Sequence, residues 1–214
     1  MPADLYLVSP PRLPADFADA LARALEPGLP TAFQLRLKDV PDCDVLRAAE
    51  ALMPVCRAAE VEFILNDRAD LAAQVGADGV HLGQSDGSIA AARALMGREA
   101  TIGATCHASR HLAMDAGEAG ATYVAFGSFF ASPTKASGHR PEPEILDWWS
   151  TLFVLPCVAI GGITAENAAP LVAAGADLLA VSAAVWAHAS GPRAGVEAFR
   201  AVLATERAAA AFLA

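Results

Sequence analysis

Gln34, Arg36 and Lys38 alternate with Phe33, Leu35 and Leu37 in the stretch 32–39. In a strand, alternate side chains fall on opposite faces. The spacing therefore predicts three long polar groups, two of them cationic, on one face. A central strand of a parallel sheet is apolar on both faces, and a buried polar row is costly without a partner. The expected partner is a bound anion; the alternative is an edge strand with a solvated face. Lysine usage agrees with a site. Of the fifteen Lys and Arg residues, only Lys38 and Lys135 are lysine. General basic charge is carried by Arg, and the two lysines read as placed.

Other residues offer complementary chemistry. Asp67 and Asp86 are expected at the ends of neighbouring strands, and two carboxylates with substrate phosphates are a common way to hold Mg2+. Read structurally, the same pair would cap the following helices. Gly161-Gly162 and Ser182 fit a phosphate site built from backbone N–H groups, although a Gly pair also makes a tight turn. His107 is an acid–base candidate whose expected role is structural. His81 is expected in the core or directly behind the site. Cys106 is expected to be a buried, inert thiol, having only His107 beside it as a base. Trp148 and Trp149 are expected to pack a helix.

These residues need a scaffold, and the apolar periodicity supplies one. Strands are predicted over 5–9, 32–39, 62–67, 79–84, 101–106, 123–127, 157–160 and 178–182. Helices are predicted over 14–25, 44–59, 68–75, 88–96, 109–119, 144–152, 165–174 and 194–211, with a long loop over 128–143. Strict alternation predicts a parallel sheet, and eight repeats predict a single (β/α)8 TIM barrel over residues 1–214. Gly76-Ala77-Asp78, Gly120-Ala121-Thr122 and Gly175-Ala176-Asp177 each end a helix and precede a strand, as a glycine C-cap does. In such barrels chemistry sits at the C-terminal strand ends. There the order of strands places Gln34, Arg36 and Lys38; Asn66 and Asp67; Gln84 and Asp86; Thr105 and His107; Ser132, Thr134 and Lys135; Gly161 and Gly162; and Ser182.

Composition limits the alternatives. Hydrophobic residues make up 55% of 214 and charged residues 18%, enough for a large core. The net charge of −9 argues against nucleic acid as partner. The four cysteines form no Cys-x-x-Cys pair, so no zinc or redox motif is expected. No signal peptide and no apolar run of membrane-spanning length is read, so the expectation is a cytoplasmic protein acting on small molecules and compatible with a homo-oligomer.

Six segments in order, Tyr6-Leu7-Val8-Ser9, Gln34-Leu35-Arg36-Leu37-Lys38, Asn66-Asp67-Arg68, Gly79-Val80-His81-Leu82-Gly83-Gln84, Ser132-Pro133-Thr134-Lys135 and Ala159-Ile160-Gly161-Gly162-Ile163, resemble the thiamine phosphate synthase family. The resemblance spans nearly the whole chain. It implies a transferase that couples hydroxymethylpyrimidine diphosphate to hydroxyethylthiazole phosphate with Mg2+. It further implies that Gln34, Arg36, Lys38, Asn66 and Lys135 hold the pyrimidine diphosphate and that Asp67 and Asp86 bind the metal. Ser132, Thr134, Gly162 and the strand-eight end near Ser182 and Ala183 would hold the thiazole phosphate, with Gly161 also a substrate-binding candidate, and Arg36, Lys38, Thr105 and Lys135 form the implied catalytic set. The family usually has Thr-x-Thr-Lys where this chain has Ser132-Pro133-Thr134-Lys135, and Ser in place of Thr105; both changes keep a hydroxyl. At strand eight the family's Ser aligns with Ala183. Two other readings stand beside this one. A thiazole tautomerase-like isomerase would use His107 and no Mg2+, and a non-catalytic thiamine-precursor binding protein would turn nothing over.

Overall fold

The computed structural model describes residues 3–131 and 140–212, with side chains described as far as Leu203. Eight parallel strands close into a barrel in sequence order. They are β1 (Asp4–Val8), β2 (Pro30–Leu35), β3 (Glu62–Asn66), β4 (Gly79–Leu82), β5 (Thr101–His107), β6 (Tyr123–Gly127), β7 (Cys157–Ile160) and β8 (Leu178–Val181). The helices between them are α1 (Phe17–Leu25), α2 (Asp42–Ala58), α3 (Ala69–Val75), α4 (Ile89–Met96), α5 (Arg110–Glu118), α6 (Glu144–Leu152) and α7 (Ala169–Ala173). Two more follow the last strand, the short α8 (Ala183–Trp186) and α9 (Pro192–Phe212). The expected TIM barrel is therefore present, with α8 as the element that periodicity did not show. Four residues are too few for a hydrophobic stripe to register.

Alternation along each strand divides the apolar residues into two layers. Leu5, Leu7, Phe33, Leu35, Phe63, Leu65, Val124 and Phe126 face outward and pack under the helices. Tyr6, Val8, Ala32, Ile64, Tyr123, Ala125, Val158 and Ala180 fill the inside. At the N-terminal end, the recurring Gly-Ala-Asp/Thr turns have a structural purpose. Gly76, Gly120 and Gly175 have positive φ (70°, 93° and 95°) and end their helices. The third residue then ties down a neighbouring strand. Asp78 Oδ2 accepts from Phe63 N at 2.8 Å, Thr122 Oγ1 from Ile102 N at 2.8 Å, and Asp177 Oδ2 from Cys157 N at 2.8 Å.

The expected β2 is corrected at its C-terminal end. The strand stops at Leu35 rather than continuing to Asp39. The Arg36 N–H bonds the Ser9 side-chain oxygen at 2.9 Å instead of a ladder carbonyl, and Asp39 turns the chain with φ 58°. Of the polar row, only Gln34 points into the barrel. The physical reason is desolvation: an amide can be satisfied inside by one hydroxyl, whereas two cations need water or an anion. Arg36 and Lys38 accordingly sit in the β2–α2 loop. In the same way, β4 ends at Leu82 and β8 at Val181, so Gln84, Asp86 and Ser182 are loop residues.

One interior position carries a stability prediction. Gly103 lies against the ring of Tyr123, and a Cβ at Gly103 would overlap that ring. We expect Gly103→Ala to destabilise the fold by about 1–3 kcal/mol, the usual cost of forcing atoms into a packed core. Chemical denaturation of the variant checks this.

Candidate active site

The C-terminal end of the barrel gathers most of the chemistry-bearing side chains. Gln34, Asn66, His81 and Thr105 project inward from β2, β3, β4 and β5. Gln34 and His81 are buried, at 3% and 7% exposure, and Asn66 is at 9%. Gln34 Nε2 donates to Tyr6 Oη at 2.8 Å, and Tyr6 Oη lies 2.8 Å from Tyr123 Oη. Tyr123 Oη lies 2.8 Å from His81 Nδ1, and His81 Nε2 lies 2.8 Å from Thr105 Oγ1. Burial pushes the ionisation of both tyrosines up, well out of the physiological range. Both phenols thus keep their protons. Asn66 differs from these neighbours: its Nδ2 is buried and has no hydrogen-bond partner among the described residues. Such an orphan donor costs about 1–3 kcal/mol and is a standing invitation to an acceptor atom.

Around this polar floor lies a charged rim. Lys38 Nζ is 3.0 Å from Asp67 Oδ2. Desolvation raises the Asp67 ionisation above its ordinary value; Lys38 opposes this rise, and Asp86, within hydrogen-bond reach, reinforces it. Asp86 is held in turn by the Gly83 N–H, which donates to Oδ2 at 3.0 Å. Neither carboxylate serves as a helix cap. The cap residue of α3 is Arg68, and α4 is capped by Ser88, whose Oγ accepts from Ala91 N at 3.1 Å. The capping alternative for the two aspartates is thereby set aside. Arg68 braces the rim from outside, with two bonds to Asp42 at 2.6 and 2.9 Å and two to Asp70 at 2.7 and 2.9 Å. It ties the start of α2 to the start of α3 and so fixes the loop that carries Lys38.

The other side of the mouth is built from backbone. Gly161 and Gly162 have φ of 107° and 64°. Cβ atoms there would overlap Ser128 at Gly161 and the backbone of Ala131 at Gly162. Phe130 N donates to Gly161 O at 2.9 Å. The glycine pair is thus required by close chain approach. Ser182 precedes α8, and its Oγ donates to Ser9 O at 3.3 Å; Ala183 is the first residue of α8 and is exposed. Ser132, Thr134 and Lys135 lie outside the described residues.

Cys106 is buried and its thiol is pushed up to about 12, chiefly by burial. It is therefore a poor nucleophile at neutral pH. His107 ends the strand with φ 53°, beyond a register shift that leaves Cys106 unpaired with β6. The interior tyrosines were not singled out by sequence reasoning, because a Tyr inside an apolar run reads as core. The available signal was Tyr123 next to Gly103, a bulky ring facing a position with no side chain.

A closed parallel barrel, with cations, a carboxylate pair and glycine turns at its C-terminal mouth, defines a barrel enzyme acting on anionic substrates. Sequence comparison narrows this class: residues 5–185 match the thiamine monophosphate synthase family. The chain belongs to that family, the transferases of thiamine biosynthesis. It is 56% identical over 200 residues to the thiamine-phosphate synthase of Rhodospirillum centenum, covering 93% of this chain and 97% of that one. It is 55% identical over 203 residues to that of Erythrobacter litoralis, covering 93% and 94%. Among solved structures, the thiamine phosphate pyrophosphorylase from Pyrococcus furiosus superposes with a TM-score of 0.81. The two are 32% identical, over 94% of this chain and 96% of that chain.

Proposed function

We propose that this chain joins hydroxymethylpyrimidine diphosphate to hydroxyethylthiazole phosphate at the mouth just described. Gln34, Asn66 and Thr105 would hold the pyrimidine, and Arg36, Lys38 and Lys135 the diphosphate. The thiazole phosphate would lie against Gly161, Gly162, Ser182 and Ala183, with Ser132 and Thr134. The observation that carries this assignment is the unpartnered Asn66 amide beside the Lys38–Asp67–Asp86 cluster. A buried donor and a two-sign charged rim suit a polar ring joined to a metal-bound diphosphate.

Asp67 and Asp86 fit Mg2+, which takes oxygen donors and commonly uses one or two carboxylates with substrate phosphates. Among the described residues no third acidic, His or Cys ligand joins them, so substrate oxygens would complete the shell. The ion, once bound, supplies positive charge to the departing diphosphate. The bond between the methylene carbon and the diphosphate oxygen breaks, and its electron pair leaves with the diphosphate. Arg36, Lys38 and Lys135 neutralise that charge. The pyrimidine amino group spreads the charge of the cation left behind, and the thiazole nitrogen gives its lone pair to the same carbon. No protein nucleophile takes part, which suits the inert Cys106. Free thiols at all four cysteines fit a reducing compartment, and we place the protein in the cytoplasm.

The deciding assay combines the purified protein with both substrates and Mg2+ and follows thiamine phosphate. Product that depends on all three components is the expected result. No product from a folded protein overturns the reading.

A further inference from the structure

The barrel interior holds a hydrogen-bond chain whose direction can be read from proton counting. We propose that Tyr6, Tyr123 and His81 are positioning residues: they pass hydrogen bonds one way, from Gln34 towards Thr105, and so leave the Thr105 hydroxyl proton to be donated to an acceptor atom of the pyrimidine diphosphate. The proposal rests on the assignment of Thr105 to that substrate.

The amide nitrogen of Gln34 donates to Tyr6 Oη. Each phenol has one proton to give. If Tyr6 gives its proton to Tyr123, then Tyr123 gives its own to His81 Nδ1. A neutral His81 must then carry its proton on Nε2 and donate it to Thr105 Oγ1. Every contact in the chain is filled once, and the only hydroxyl proton left over is that of Thr105. With the Gln34 amide nitrogen facing Tyr6, the reverse order fails at its first link. Tyr123 would give its proton to Tyr6, which already accepts from Gln34. Tyr6 is 2% exposed, and its own proton would then lack an acceptor among the described residues. An unmade buried hydrogen bond is costly. A protonated His81 would leave the same orphan and add a charge inside the barrel. The packing holds the parts in place: the Tyr6 and Tyr123 rings meet edge-on at 5.8 Å, and the His81 and Tyr123 rings stack at 5.6 Å. Gly103 provides the space that the Tyr123 ring occupies.

Two measurements test the chain. In 15N-histidine-labelled protein, the His81 signal, identified by its loss in His81→Gln, is expected to show the neutral form with the proton on Nε2. A proton on Nδ1 would mean the chain runs the other way and would overturn the proposal, whatever the protein catalyses. The second measurement is a double-mutant cycle on kcat/KM with Tyr123→Phe, Thr105→Val and both together. Tyr123→Phe removes the bias on His81 and is expected to cost about two- to tenfold. That loss should vanish when Thr105 already lacks its hydroxyl, because the chain acts only through it. Losses that multiply in the folded double variant would show that Tyr123 merely shapes the barrel. Failure of the wild-type protein to form thiamine phosphate would instead sink the substrate assignment, leaving the direction of the chain to the histidine spectrum.

Discussion

Asp67→Asn should abolish most activity while leaving the protein at least as stable as its parent. Asp67 has φ 65°, a left-handed geometry that Asn accepts readily and Ala does not. Asn is therefore the cleaner test, since Ala would add backbone strain to the loss of charge. Desolvation and Asp86 together outweigh Lys38 and raise the Asp67 ionisation in the fold. A raised carboxylate favours the protonated form on folding, so the ionised form costs stability at neutral pH. The cost is relieved as pH falls through the folded value. Asn imitates the neutral form at every pH. Without metal, the variant should thus melt no lower than the parent at pH 7, and any gain over the parent should shrink as the pH is lowered. Catalysis should respond oppositely, because losing a metal-bearing carboxylate removes several kcal/mol of charge stabilisation, roughly a hundredfold or more in rate. The rise in Tm on adding Mg2+ and pyrimidine diphosphate should also disappear. Wild-type turnover at limiting Mg2+ would show that Asp67 does not hold the metal.

Lys38 is expected to have the second large effect, for a different reason. Its ammonium neutralises Asp67 in the free protein at 3.0 Å, yet its side chain is 47% exposed. An exposed ion pair contributes little to stability, so Lys38→Ala should barely move Tm. On the proposed assignment, a cation that takes Asp67 would release the ammonium to the diphosphate. Removing such a charged contact from a closed site costs about 2–4 kcal/mol of transition-state stabilisation, roughly 30- to 1,000-fold in kcat/KM. Mg2+ alone should bind the variant no more weakly, because a neighbouring positive charge has gone. Lys38→Arg keeps the charge but replaces a compact point with a wide planar fork, and should not restore the full rate. Steady-state kinetics with thermal melts in the presence and absence of Mg2+ separate these outcomes. Parental rates in both variants would make Lys38 an ordinary surface charge.

What the sequence determined by itself was the barrel, and it did so through local patterns. Eight apolar segments alternate with eight amphipathic ones, and each of these signals depends on residues within a few positions of one another. β6 and β7, 123–127 and 157–160, stand where periodicity places them. The ordering of polar residues at strand ends followed from the same alternation, because every parallel strand points the same way. Tertiary structure alone decided how those residues meet. The alternation in 32–39 suggested one strand face with three polar groups, but the ladder ends at Leu35, where Ser9, the residue after β1, offers its Oγ to the Arg36 N–H. The Lys38–Asp67 pair and the approach of Asp86 to Asp67 join three separate βα loops. Spacing along the chain carries no information on such contacts. The interior chain from Gln34 to Thr105 was the least legible feature. Its members lie on five strands, and each taken alone is a polar residue in an apolar run. Barrel closure brings β1 within reach of β6 across the interior, and only then do two buried phenols and an imidazole satisfy one another.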